Sequence, residues 1–348
     1  MSLALHYSIC PVYVASHAAH DLGYLREELE HAGATLTPLS TLPDGQAPVA
    51  HARHDQTWQV RDGGNIPALW ARADHADTVL VGSTHVQAGG QLVVRVDDDI
   101  RRVQDLAGRR FGLSKSLDTR RVDWWRANSQ RNAGLALGLA GLGWDEVETV
   151  DIEHGHPAQG ARATHDWEGR SKQDIVFKLP FTPEFGALAD GRVDAIYTTQ
   201  GRATIYERSG RFRVIEDLAR YPDWTLQLAA SPYTLAVSPA LARERRDLVV
   251  AWLRANLRAA RWIDAHPDAA ARLLHRHVYH ETVADVAAQI AQIDFAPSLS
   301  PYHLAGLQIG ADFLHTAGYA SRAVDVAAWA DASFLEEALA SLPPGESA

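Results

Sequence analysis

The chain has 348 residues, 46% of them hydrophobic and 22% charged, which is the balance of a globular protein able to fill a sizeable core. Its net charge of −10 argues against nucleic acid as a partner, because phosphates need a basic face, but a local arginine could still hold a small anion. A single cysteine, Cys10, excludes an intramolecular disulfide, and no run approaches the roughly 18 apolar residues of a membrane span.

The opening residues, MSLALHYSICPVYVASH, contain no basic stretch followed by a long apolar one. No signal peptide is read there, and the expected location is the cytoplasm, where a lone thiol stays reduced. Leu3 to Ile9 alternates and predicts a first strand ending at Cys10-Pro11. Ser16 is the expected N-cap of a helix carrying Leu22, Leu25 and Leu29, with Gly33 as its stop. Ala34 to Leu39 predicts a second strand. Pro43 to Arg61 is polar and predicts a long loop or a short broken element. Asn65-Ile66-Pro67 opens a helix through about Ala73, with proline in its first turn. Strands follow at Thr78–Gly82 and Gln91–Val96, then a turn and strand in Val103–Leu113.

Thr119 to Gly141 predicts a helix, and its GLALGLAGLG stretch reads as a face of small residues rather than a nucleotide loop. Val147 to Ile152 predicts a strand, and the polar Glu153–Gln173 stretch a mobile loop. A strand is expected at Asp174–Leu179, a helix from Thr182 to near Gly191, a strand at Val193–Thr198, a helix near Arg202–Ser209 and a strand at Arg213–Glu216. After a strand at Tyr233–Val237 the chain reads as helical: 239–265, 267–277, 282–293, 301–317 and 324–340. Strands alternating with helices over the first two-thirds predict mostly parallel sheets. The expected fold class is α/β with two lobes, residues 1–90 plus 230–348 in one and 91–229 in the other. The ligand cleft lies between them, beyond the carboxyl ends of the strands.

Cys10 sits at such a strand end, and Pro11 keeps its backbone extended. A lone cysteine is most often a small buried hydrophobe, so position alone is a weak argument for catalysis. Arg61 offers a planar fork of donors suited to a bidentate anion. Gly63 and Gly64 let backbone N–H groups approach an oxyanion, and the following helix adds its positive end. Glycine pairs also make ordinary turns, and a lone arginine is usually solvated. His51 is the natural partner for a thiol, although the chain holds 17 histidines. His51 and His54 are spaced for a metal pair, but no third ligand has motif spacing, so no metal or other cofactor is expected.

Three segments combine these signals. YSICPV (7–12), HARHDQTWQVRDGGNIPAL (51–69) and DLAGRRFGLS (105–114) resemble the bacterial hydroxybiphenyl sulfinate desulfinase family. ALADGRVDAIYT (187–198) and AAWADASFLEEAL (327–339) extend the resemblance over nearly the whole chain, outside about 116–178. The resemblance implies the two-lobed type II periplasmic-binding-protein fold. It implies an essential cysteine at Cys10, with His51, Arg61 and Gly64 around the sulfinate; Gly63, His54 and Gln56 beside them in sequence are further expected substrate-binding residues. The chain departs from the family at Ala52, where an aromatic residue faces the substrate, and at His54, where a tyrosine stands. The expected activity is cofactor-free cleavage of the C–S bond of an aromatic sulfinate with release of sulfite, by a monomer with no nucleic-acid or membrane partner. The alternative is a non-catalytic solute-binding protein for a sulfonate or sulfinate. An enzyme of thiamine-pyrimidine synthesis would share the fold, but that family uses a cysteine-rich motif.

Overall fold

The structure is a computed structural model and describes residues 2–43, 45–86, 89–154, 182–278 and 282–342. The first sheet has the order β2-β1-β3-β10-β4, built from β1 (Leu3–Ile9), β2 (Ala34–Pro38), β3 (Gln59–Gly63), β4 (Val79–Thr84) and β10 (Tyr233–Val237). The second has the order β7-β6-β8-β5-β9, built from β5 (Gly90–Arg95), β6 (Arg110–Ser116), β7 (Glu148–His154), β8 (Ala195–Thr199) and β9 (Phe212–Asp217). The chain thus crosses from the first sheet to the second between β4 and β5, and back between β9 and β10.

These crossings account for the first correction. Each sheet has two parallel and two antiparallel pairs, not a mostly parallel set. β5 and β10 are the first strands after a crossing. Each enters its sheet from the cleft edge and therefore runs against its neighbours. The two crossings are tied together where Val86 N donates to Ser231 Oγ (2.8 Å).

The second correction is at 43–61, where the polar stretch folds into helix α3 (Gln46–Arg53) and the central strand β3. Every residue of β3 is buried, including Gln59, Arg61 and Asp62. Its polar side chains find tertiary partners, so the apolar run that normally marks a central strand is missing.

Other boundaries move for local reasons. The helix expected from Ser16 is two, α1 (Ala15–Asp21) and α2 (Tyr24–His31), because Gly23 turns left-handed at φ +83° between them. Ser16 lies inside α1, fully buried, and caps nothing. Asn65-Ile66-Pro67 does open a helix, α4 (Asn65–Asp74), and α5 starts late, at Trp124–Leu139. α6 (Pro183–Ala189) has Thr182 as its N-cap and α7 spans Gln200–Arg208.

The 239–265 helix breaks into α8 (Pro239–Glu244) and α9 (Arg246–Ala265), where Arg245 donates to Ala32 O (2.7 Å). After α10 (Pro267–Leu274), α11 (Val283–Ile290) and α12 (Pro301–Thr316), the last predicted helix splits into α13 (Val326–Trp329) and α14 (Ser333–Ala340). There Asp331 N donates to Leu80 O (2.9 Å) on β4 instead of continuing the helix. Of the loop expected from Glu153, Glu153 and His154 instead end β7. The rest of that loop and the 174–179 strand lie outside the described residues.

The 20-residue α9 carries the main core. Leu248, Trp252, Leu253, Ala259 and Ile263 pack with α1, α2 and one face of the first sheet. In the second lobe α5 covers one sheet face through Ala133 and Leu137 on Phe111 and Leu113. α6 and α7 cover the other through Phe185 and Tyr206 on Val93 and Ile196. The lobes also touch directly. Ala127 of α5 joins Ile66 and Leu69 of α4, and Tyr319 Oη donates to Gln130 Oε1 at 2.7 Å.

Candidate active site

β1 and β3 run parallel side by side with Ile9 opposite Asp62, so the two strands deliver Cys10 and Gly63 to the same point on the cleft edge. Cys10 N donates to Asp62 O (2.8 Å), which extends the ladder by one residue and holds the cysteine in line. A Cβ on Gly63 would lie 2.2 Å from Cys10 Sγ, and Gly63 has φ +154°. Only glycine admits the thiol this close. Gly63→Ala is therefore expected to cost at least about 2 kcal/mol of stability, from overpacking plus backbone strain. At Gly64 the nearest atom to an added Cβ is Ala230 Cβ at 3.9 Å, so Gly64→Ala should leave stability nearly unchanged. Denaturant titration of the two variants checks the contrast.

Two donors and an imidazole nitrogen surround the sulfur. Arg61 Nη2 lies 3.5 Å from Sγ, His51 Nε2 lies 3.6 Å from it, and the Gly64 backbone N–H is close enough to favour its thiolate. Cys10 keeps some surface open to the cleft, yet burial of its sulfur dominates and pushes the thiol up. Arg61 and the Gly64 N–H act in the opposite direction. The thiol is thus protonated at rest, with its thiolate form already provided with donors.

Arg61 is 1% exposed and makes only long contacts: 3.5 Å to Cys10 Sγ, 3.3 Å to His51 Nε2 and 3.4 Å from Nη1 to Thr234 Oγ1. Its Nε has no partner, and no carboxylate ion-pairs with it among the described residues. A buried guanidinium with spare donors is suited to an incoming anion. Gly64 is the N-cap residue of α4, so the positive end of that ten-residue helix faces the same spot.

His51 stands in the last turn of α3. Arg61 has only donors, so the His51 Nε2 beside its Nη2 accepts. The ring proton then sits on Nδ1 and is donated to Ser8 Oγ (2.9 Å). This leaves Nε2 as an acceptor facing the thiol. Sequence reasoning missed Ser8, a fully buried residue two positions before Cys10 on the same face of β1. It also missed His17, whose Nε2 donates to Cys10 O (2.8 Å) and whose ring stacks on His277 at 4.3 Å. Burial holds His17 well below the usual histidine range, so it is a neutral clamp on the cysteine backbone. No local pattern marks His17, whereas the period-2 rule applied to β1 puts Ser8 on the same face as Cys10.

Cys10, His51, Arg61, Gly63 and Gly64 therefore come together, while His54 and Gln56 go elsewhere. His54 ends α3 at φ 58°, buried, with Nε2 donating to Gln59 O (3.3 Å). Burial takes it down to about 3, so it is a neutral cap rather than a substrate ligand, and it points away from a metal pair with His51. The Gln56 amide donates to Asp55 Oδ1 (2.9 Å) at the surface. Ala52 is buried against Ile66 and Leu69 and does not reach the thiol.

The far side of the site comes from the returning strand and the second lobe. Tyr233 opens β10 at the cleft edge, and the Cys10 thiol and Tyr197 both add to the burial that raises its hydroxyl. Tyr197 packs against Trp125 (5.8 Å between ring centroids) and accepts from Asn128 Nδ2 (3.2 Å). Of the tryptophan pair, Trp125 is buried in this wall, donating to Glu184, and Trp124 is exposed. Arg202 lies over the Trp125 ring at 4.9 Å. Of these rings Tyr233 is the one within electrostatic reach of the thiol, and it stands between Cys10 and Tyr197.

The chain is 31% identical to the 2′-hydroxybiphenyl-2-sulfinate desulfinase of Rhodococcus erythropolis, over 96% of this chain and 93% of that protein. It is equally similar to the protein of the same description from Rhodococcus qingshengii. Among solved structures it resembles the desulfurization enzyme DSZB, with TM-score 0.76 and 28% identity over 97% of this chain and 99% of that one. A cysteine-to-serine mutant of DSZB in complex with biphenyl-2-sulfinic acid matches with TM-score 0.75 and 27% identity over 98% and 99%. The periplasmic aliphatic sulphonate binding protein SsuA of Escherichia coli matches with TM-score 0.61 and 16% identity over 94% and 91%, a likeness of fold alone. The architecture is thus the two-lobed α/β fold of periplasmic binding proteins. No protein-family model matches the chain.

Proposed function

The chain belongs to the family of 2′-hydroxybiphenyl-2-sulfinate desulfinases and is an enzyme that breaks carbon–sulfur bonds, and from that premise we propose that Cys10, His51 and Arg61 carry out the cleavage of an aromatic sulfinate. The overall reaction takes the sulfinate and one water to the desulfurized arene and hydrogen sulfite, with no redox change in the protein and no cofactor. The observation that carries the assignment is the convergence of the Cys10 sulfur, the Arg61 Nη2 at 3.5 Å and the Gly64 N–H on one point of the cleft edge.

In this reading Arg61 and the Gly64 N–H hold the sulfinate oxygens. Cys10 delivers its proton to the ring carbon that bears sulfur. The C–S bond then breaks with its electron pair left on the ring, and sulfur dioxide departs. Arg61 and Gly64 stabilise the thiolate that remains. Water adds to sulfur dioxide to give hydrogen sulfite, and the proton so released restores the thiol. Two features favour proton delivery: burial keeps the thiol protonated, and the donors around it favour the thiolate only once the proton has gone. His51 Nε2 at 3.6 Å directs the S–H, and Ser8 holds the ring in the required tautomer.

The unprotonated Nε2 also favours a second reading. His51 would take the thiol proton, the thiolate would attack sulfur, and the C–S bond would break with its electron pair on the ring carbon, which takes the proton back from His51; water then hydrolyses the Cys10–SO2 adduct to hydrogen sulfite and the thiol. Intact-mass analysis of a quenched reaction separates the two routes, since only the second leaves an SO2 adduct on Cys10.

The Tyr233 ring beside the thiol supports an aromatic organic part. We place the enzyme in the cytoplasm, which keeps a working thiol reduced, and as a monomer, since one chain supplies every residue of the site. The test is a panel of aryl and alkyl sulfinates assayed for sulfite and arene. One equivalent of each product is expected from an aryl sulfinate. Tight binding of these ligands with no sulfite release would leave only a carrier.

A further inference from the structure

Next to Arg61 the same strand carries a second buried charge-bearing residue that the mechanism above does not use. Successive residues of β3 face opposite sides of the sheet, so Arg61 points into the cleft and Asp62 into the core under α1 and α9. Asp62 is 5% exposed and makes no ion pair among the described residues. Ser16 Oγ lies 2.6 Å from Asp62 Oδ2 and 2.8 Å from Asn256 Oδ1. The Asn256 amide cannot be turned around, because its Nδ2 donates to Trp252 O (2.9 Å). Ser16 therefore stands between two oxygens with one hydroxyl proton to give. All contacts are satisfied only if Asp62 Oδ2 carries a proton and donates to Ser16, Ser16 donates to Asn256, and Asn256 donates to Trp252.

We infer that Asp62 is a neutral carboxylic acid in the working enzyme and a positioning residue for sulfinate binding, its proton leaving the charge of Arg61 uncompensated for the anion. The inference rests on the sulfinate reading of the site. The surroundings agree with it. Ser16 and the neutral His17 on α1, Asn256 on α9 and Leu235 opposite it on β10 bring no charge. Among the described residues, Cys10 and Arg61 are the titratable groups within electrostatic reach. Burial raises Asp62 to about 7, against the smaller downward effects of Ser16 and Arg61. Below that pH the site holds one net positive charge. Above it Asp62 gains a negative charge, which offsets Arg61, repels the sulfinate and holds the thiol up.

The test is the pH dependence of KM and kcat for an aryl sulfinate in the parent enzyme and in Asp62→Asn. Asparagine keeps the chain intact, since its amide can donate to Ser16 as the acid does. The parent KM is expected to rise roughly ten-fold between about pH 6 and about pH 8.5. In D62N KM should stay flat across that range, with kcat following Cys10 in both enzymes. A parallel readout does not depend on turnover or on D62N folding. The infrared carbonyl stretch of a buried carboxylic acid should be present in the parent at about pH 6, disappear on titration through about 7 and be absent from D62N. An acid band that titrates this way with a flat parent KM removes the role in binding. Absence of the band at about pH 6 overturns the proposal, whatever becomes of the desulfinase reading.

Discussion

Cys10→Ser is expected to lower sulfite release by roughly three orders of magnitude or more, while leaving the fold and sulfinate binding in place. The serine hydroxyl is a far weaker acid than the thiol and a poorer nucleophile, so it fails on either route. Its oxygen is also smaller than sulfur and bonded closer to Cβ, so it withdraws from His51 and Arg61, which already stand 3.6 and 3.5 Å from Sγ. The substitution reduces volume at the point where Gly63 leaves no room, so no overpacking follows. Sulfite assay and calorimetric binding of the same aryl sulfinate separate the two effects. Turnover within ten-fold of the parent would remove Cys10 from the chemistry on both routes.

Arg61→Met is expected to reduce kcat/KM by about 10²- to 10³-fold, the scale found when one donor to a developing oxyanion is removed. Stability should not fall with it. Arg61 is almost wholly buried, has no carboxylate partner and leaves Nε unsatisfied. Replacing such a charge by an apolar chain of similar length relieves desolvation. Burial also pulls the guanidinium below its ordinary range, which is the mark of a charge held at a cost. Thermal melting alongside kinetics therefore gives opposite signs for a functional and a structural arginine. A lower melting temperature with retained activity would mean that Arg61 braces the fold and that the anion binds elsewhere.

The residues that could be found in the sequence share a property. Cys10 was found because an alternating apolar strand stops at a proline, and α4 because proline sits in its first turn. Gly63 and Gly64 were found because two glycines follow an arginine. Each is a local signal carried by backbone preference. Where the pattern is local but polar it misleads: Pro43–Arg61 reads as a loop, yet it holds α3 and the most central strand contributing to the site. His54 and Gln56 were drawn in by their nearness in sequence to His51. The left-handed turn at His54 instead directs them away, one to a backbone carbonyl and one to the surface.

Ser8, His17 and Asp62 could not be picked out as members of the site from one sequence. Their roles depend on partners 43, 7 and 46 residues away along the chain. Taken alone, the amino-acid sequence determined the α/β class, the strand-end thiol and the arginine–glycine anion cradle, because strand periodicity, proline and glycine act on their immediate neighbours. Only the tertiary structure decided which histidine meets the thiol, which tautomer it carries, how the returning strands run and why an aspartate beside the arginine does not neutralise it. Those outcomes depend on sheet register and on the desolvation of buried polar groups, and both arise only when distant segments pack together.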